Sequence, residues 1–159
     1  MKTQKEYQHL FNLLDASART MLGCWAAFAG SGSGHHGLSE MALIESKERA
    51  EIGMKAARHM IGQGVPVILP SLPESLCDYT TPLDAIEAMC TRDQEVHTAI
   101  TTLYDATVAA GESPHYVVDI KERMNHEIME LQGIKMMVTE CSSPGDFLIL
   151  NKKMLEKYT

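Results

Sequence analysis

The chain is short of what would tie it to a membrane, a disulfide scaffold or a nucleic acid. Its four cysteines, Cys24, Cys77, Cys90 and Cys141, are scattered over 159 residues and form no Cys-x-x-Cys pair. That spacing suggests neither a zinc knuckle nor a disulfide framework, and a reducing cytosol is the expectation. No stretch approaches the roughly 18 uninterrupted apolar residues that span a bilayer. The first residues, Met1 to Tyr7, are polar and carry Lys2, Lys5 and Glu6, unlike a targeting segment. Cations are scarce as well: 14 Lys and Arg stand against 21 Asp and Glu, for a net charge of -7. Binding to a phosphate backbone rests on clustered Lys and Arg that release counterions, so direct nucleic-acid binding is argued against. The expectation is a cytoplasmic protein with no membrane partner.

What the chain does have is helical periodicity. At 159 residues and 45% hydrophobic content it can bury the core of a single domain, residues 1–159. From about residue 3 to 29, Leu10, Leu14, Met21, Trp25 and Phe28 recur at three- and four-residue steps with no proline between them, which predicts a long amphipathic helix. The glycine-rich segment Gly30 to Gly37 ends it as a loop. Its histidines, His35 and His36, are expected to be solvated rather than ligating. A second helix is predicted over 38–61, with Ser39 as N-cap and Gly62-Gln63-Gly64 as its stop. The segment 64–81 carries Pro66, Pro70 and Pro73 among Val67, Ile68, Leu69 and Leu72. It is too broken for a helix and too apolar for a free linker, so an extended crossover packed on the outside is expected. Thr81-Pro82 opens a third helix, 82–110, with Ile86, Met89, Val96, Ile100 and Leu103 as its stripe. A fourth, 114–140, carries Val117, Ile120, Met124, Ile128, Leu131, Ile134 and Val138, and a short fifth is expected over 146–157. Met124, Met129, Met136 and Met137 read as core filler.

Acid on an inner stripe is the chemical signal, because a buried carboxylate is costly unless a cation or partner compensates it. Asp15 falls in the ladder Phe11, Asp15, Ala18, Leu22 and Trp25. Asp93 interrupts the apolar face of the third helix, and either a metal or an arginine such as Arg49 or Arg123 would compensate it. Glu45, Glu48 and Glu51 form a ladder on the second helix, and Glu122, His126 and Glu130 form one on the fourth. Each ladder alone is what a solvated ridge also shows. With Asp15 and Asp93 they place a candidate oxygen or nitrogen ligand on each long helix, as a hard metal pair requires.

The run Glu45-Ser46-Lys47-Glu48-Arg49-Ala50-Glu51, followed by Gln63-Gly64-Val65-Pro66-Val67-Ile68-Leu69-Pro70, resembles the second helix and crossover of the ferritin and bacterioferritin family. The resemblance implies an all-α fold: a ferritin-like four-helix bundle with a long crossover between helices 2 and 3 and a short C-terminal fifth helix. It implies a homo-oligomer, cage or dimer, and non-haem iron, as a di-iron pair in the family's oxidation centre. The family's Glu-x-x-His falls on Ser46 and Arg49, neither of them an ordinary iron ligand. Asp15 and Asp93 correspond to its first- and third-helix glutamates. The fourth-helix ligand pair falls on Arg123 and His126, or on Glu130 and Gly133. Glu45, Glu48 and Glu51 correspond to acids on the inner wall of animal ferritin light chains, which also lack an oxidation centre. The expectation is an iron-binding or iron-storage subunit whose ferroxidase activity is absent, weak or rebuilt from Asp15, Asp93, Glu48 and His126. Haem at a two-fold interface stays open, since one methionine would ligate it and the chain has 11. The rival is a metal-free helical scaffold or interaction protein in which the acids form salt bridges, favoured by Ser46 and Arg49. A DNA-protecting ferritin relative is a third reading.

Overall fold

The computed structural model describes residues 1–30, 34–71 and 79–159. Ser31 to Ser33 of the glycine-rich loop, and Leu72, Pro73 and Cys77 of the expected crossover, lie outside the described residues. The fold is all-α, with helices α1 (Gln4–Ala29), α2 (His36–Gly62), α3 (Pro82–Ala109), α4 (His115–Glu140) and α5 (Pro144–Tyr158), and no strand among the described residues. α3 and α5 open alike. Thr81 and Ser143 cap them, accepting from the backbone N–H of Asp84 and Asp146, and a proline follows each cap.

α2 begins two residues earlier than its periodicity suggests. Ser39 is not its N-cap but lies within the first turn, where its N–H donates to the His35 carbonyl and its Oγ donates to the Trp25 carbonyl. The cause is α5. At Gly37 the backbone of Asn151 comes so close that a Cβ would sit 1.9 Å from its carbonyl oxygen. Asn151 Oδ1 meanwhile accepts from the Leu38 N–H at 3.0 Å, satisfying one of the free donors at the start of α2. The glycine therefore serves a helix crossing rather than a turn. His35 is half-buried between the rings of Phe28 and Phe147, and His36 is exposed.

The pairings between helices fix their directions. Tyr7 meets His59, Ala18 meets Ser46 and Trp25 meets Ser39, so α1 and α2 run antiparallel. Ser17 meets Asp93 and Cys24 meets Ala85, so α1 and α3 are antiparallel as well. α4 opposes α2 through Glu51 with Arg123 and Lys55 with Tyr116, and it opposes α3 through Tyr104 with Lys121. α2 and α3 consequently point the same way, and residues 63–81 join them. The described start of this segment lies beside α1, where the Gln8 side-chain amide brackets Ile68, accepting from its N–H and donating to its carbonyl.

The core has two apolar halves. Tyr7, Leu10, Leu14, Ile52, Ile100 and Met124 belong to one, and Met21, Phe28, Met41, Met89, Leu131 and Leu150 to the other. Between them each of the first four helices contributes polar side chains to one buried layer: Ser17, then Glu45, Ser46 and Arg49, then Asp93, then Glu127. Met124 is core as expected, but Met129 and Met136 are exposed at 73% and 65%. They fall on the outer side of α4, off the three- and four-residue ladder.

Candidate functional site

The polar layer is built around Arg49, whose side chain is 0% exposed. Its Nε and Nη2 donate to Asp93 Oδ1 and Oδ2 at 2.9 and 2.8 Å, a bidentate fork. Its Nη1 donates to Glu45 Oε2 at 2.7 Å and Glu127 Oε2 at 3.1 Å. One guanidinium from α2 thus binds carboxylates from α2, α3 and α4. Ser17 of α1 adds a long hydroxyl contact to Asp93 Oδ1 at 3.5 Å. Arginine suits this position because its planar set of donors reaches three carboxylates at fixed angles and stays charged when buried.

One positive charge faces three acids, and the excess of negative charge favours proton uptake. Burial, reinforced by the neighbouring Glu48 and Glu45, pushes the Glu127 carboxyl up to about 9. Burial also raises Glu45, against the pull of Arg49. Burial thus pushes both carboxyls of the Glu45 and Glu127 pair toward their protonated forms. Burial opposes the charge on Arg49, but the hydrogen bonds and charge of Asp93, with Glu45 and Glu127, outweigh it and hold the guanidinium above its ordinary value.

The last turn of α5 closes this layer from outside. The Tyr158 hydroxyl lies 3.2 Å from Glu45 Oε1 and 2.9 Å from Glu130 Oε1, with one proton to donate between them. Lys157 Nζ pairs with Glu130 Oε1 at 2.7 Å. Burial and then the charge of Glu45 push the Tyr158 hydroxyl far above its usual range, so it remains a donor.

Of the residues expected to bind metal, the structure brings together Glu45, Asp93 and Glu130, with Glu48 alongside Glu127. Of the two compensations open to Asp93, the structure holds the salt bridge to Arg49. Arg123 pairs instead with Glu51 at the surface, at 3.1 Å. Glu122 and His126 are exposed, and His126 Nε2 stands 3.9 Å from Glu130 Oε2. Asp15 does not join the layer. It is half-buried on the outer side of α1, and Leu22 and Trp25 of the same ladder are exposed at 43% and 37%. The inward ladder of α1 is Leu10, Leu14, Ser17, Met21, Cys24 and Phe28, one residue out of phase with the ladder expected. Glu127, which the ladders of the fourth helix passed over, is 4% exposed and central.

These residues do not fit a di-iron centre. At the two positions where the family's helix would supply ligands, Ser46 donates its hydroxyl to the Ala18 carbonyl at 2.7 Å and Arg49 puts its own positive charge among the acids. Among the described residues a further group of acids remains. Ligand oxygens of Glu45, Glu127 and Glu130 lie within 4.8 Å of one another, and Arg49, Tyr158 and Lys157 already engage them. Comparison of the chain with protein-family models and with curated proteins finds no match.

Proposed function

We propose that the chain is a metal-free scaffold of ferritin-like architecture: a four-helix bundle with a long crossover, in which a guanidinium takes the place of the metal charge. The observation that carries this reading is the Arg49 fork onto Asp93, extended to Glu45 and Glu127, in a layer with no exposed atom on Arg49. A cation entering that layer would face the guanidinium at contact distance and would have to displace it from three carboxylates. Such a layer supplies fixed geometry, since a buried ionic group tolerates only the helix register that pairs it. The function is then exercised by the outer surfaces, as an oligomer or with a partner protein. Anaerobic addition of ferrous ion followed by aeration tests the reading. The expected result is no stoichiometric binding and oxygen uptake no faster than in buffer; saturable binding with fast oxidation overturns it.

The second reading, an iron-handling subunit that binds through carboxylates alone, is favoured by the proximity of Glu45, Glu127 and Glu130. It requires Tyr158 and Lys157 to release those acids. Ferrous binding that appears in Tyr158→Phe but not in the parent chain would select it.

A further inference from the structure

Asn151, where α5 meets the start of α2, is 5% exposed, and the sense of its polar contacts is fixed. Its Oδ1 accepts from the Leu38 N–H at 3.0 Å, and its Nδ2 donates to the Phe147 carbonyl at 2.9 Å. A backbone N–H can only donate and a carbonyl can only accept, so the amide has one orientation; turned over, it would lose both bonds. The second hydrogen of Nδ2 points to His35 Nδ1, 3.2 Å away. An amide nitrogen donates and does not accept, so Nδ1 has to be bare. The imidazole is therefore neutral, with its one proton on Nε2.

The surroundings of His35 agree with a neutral ring. It stands at the N-cap of α2, where the partial positive charge of a helix start disfavours an imidazolium. The rings of Phe28 from α1 and Phe147 from α5 flank it, with centroids at 6.2 and 5.3 Å. Its titratable neighbours are His36 on its own helix, with Cys141 and Tyr79 lining cavities beside it. The acid in the first turn of α5, Asp146, is turned to Ser142 and accepts from its N–H and hydroxyl. Burial, and then the charge of His36, hold His35 below the ordinary histidine value.

We infer that His35 is an acid-sensitive latch for α5: the neutral ring holds Asn151 against the start of α2, and a proton on Nδ1 releases it. Protonation sets one N–H against another, and the amide cannot turn to avoid it. A ring freed from α5 titrates near the ordinary value of about 6.5, above the docked ring. Docking therefore weakens as pH falls through that value, by up to about tenfold per pH unit, until the docked ring is protonated as well. What comes free is the half of α5 from Phe147 to Asn151. With it goes Leu150, 4% exposed and packed in the same core half as Leu38 and Met41. Tyr158 and Lys157 continue to hold the last turn to Glu45 and Glu130, so the helix opens from one end. The latch does not depend on the scaffold reading.

Nitrogen NMR of the imidazole rings and amide hydrogen exchange of the full chain test the inference. At pH 7.5 His35 shows a bare Nδ1 and a protonated Nε2. Between pH 7.5 and 5.5, after correction for intrinsic exchange, residues 148–152 lose protection about three- to tenfold relative to α3 of the same chain. In His35→Asn a side-chain oxygen takes the place of Nδ1 without titrating, and the loss disappears. Asn151→Asp reverses the sense: one oxygen still accepts from Leu38, the other accepts from a protonated Nδ1, and α5 is better protected at pH 5.5 than at 7.5. A proton on Nδ1 at pH 7.5 in the parent chain overturns the inference, and so does protection of α5 that acid leaves unchanged. Both are read without any variant. A loss of equal size in His35→Asn, or an α5 that still loosens in acid in Asn151→Asp, overturns it too.

Discussion

Replacing Arg49 by methionine tests the claim that a guanidinium holds the core together. Methionine fills much of the arginine volume, so the change removes charge and donors with little cavity. It leaves Asp93, 1% exposed, and the Glu45 and Glu127 pair without the one cation that the described residues place inside the layer. Breaking a buried ion pair by removing one partner costs about 3–5 kcal/mol, against total stabilities of about 5–15 kcal/mol for a domain. At pH 8 the variant should lose about a fifth or more of its stability to urea. The loss should shrink at pH 5, and the sign follows from proton uptake. Without Arg49 the native carboxyls hold protons that the unfolded chain has released above its ordinary carboxylate range. Stability of the variant then falls as pH rises, by up to about 1.4 kcal/mol per pH unit for each full proton. Urea unfolding followed by circular dichroism at the two pH values reads both quantities. A second variant, R49M with Glu45→Gln and Asp93→Asn, removes the stranded charge and should recover much of the loss, because replacing every partner is far cheaper than removing one. A cost below about 1 kcal/mol at pH 8, or an equal cost at both values, would show that Arg49 is not the counter-ion argued for.

Glu127→Gln imitates the protonated acid. In the parent chain Glu127 keeps its proton to about 9 while the unfolded residue loses it near its ordinary value, so parent stability falls as pH rises through that window; the variant should show a flatter profile and exceed the parent at pH 9 in urea unfolding. Tyr158→Phe removes the donor between Glu45 and Glu130, and should cost about 1–3 kcal/mol and speed amide exchange in the last turn of α5, whereas unchanged exchange there would mean that the hydroxyl does not anchor the helix. Gly37→Ala sets a methyl 1.9 Å from the Asn151 carbonyl oxygen and 2.6 Å from its carbon. Backbone cannot yield as a side chain does, so α5 should lift, with loss of its exchange protection and about 1–3 kcal/mol or more.

The helices were legible because five apolar ladders broken by Gly30, Gly62, Gly111 and the Ser142 to Gly145 run leave little else to form. The start of α2 was not, since Gly37 reads as a loop residue until Asn151 is seen to press against it, and that contact spans 114 positions (151 − 37). The site was legible in part, and for a physical reason. Asp93 stood out because Met89, Val96 and Ile100 flank it on an unbroken stripe. The same test applied to α4 finds Glu127 between Met124 and Leu131, at steps of three and four; tracing the stripe through the half-buried Ile128 instead conceals it. On α2 it finds two charges, Glu45 and Arg49, in a ladder running from Leu38 and Ala42 to Ile52 and Ala56. A cation and anions interrupting apolar ladders at one level of neighbouring helices compensate each other, and that requires no metal. A di-iron reading needs the reverse, ligands with no cation of their own. Arg49 was visible in the sequence as a departure from the family's pattern, and its meaning depended on one residue of phase: the same ladder logic that turned Asp15 inward on α1 was off by a single position, and shifting it puts Ser17 toward Asp93 and Asp15 outside, beside Arg19.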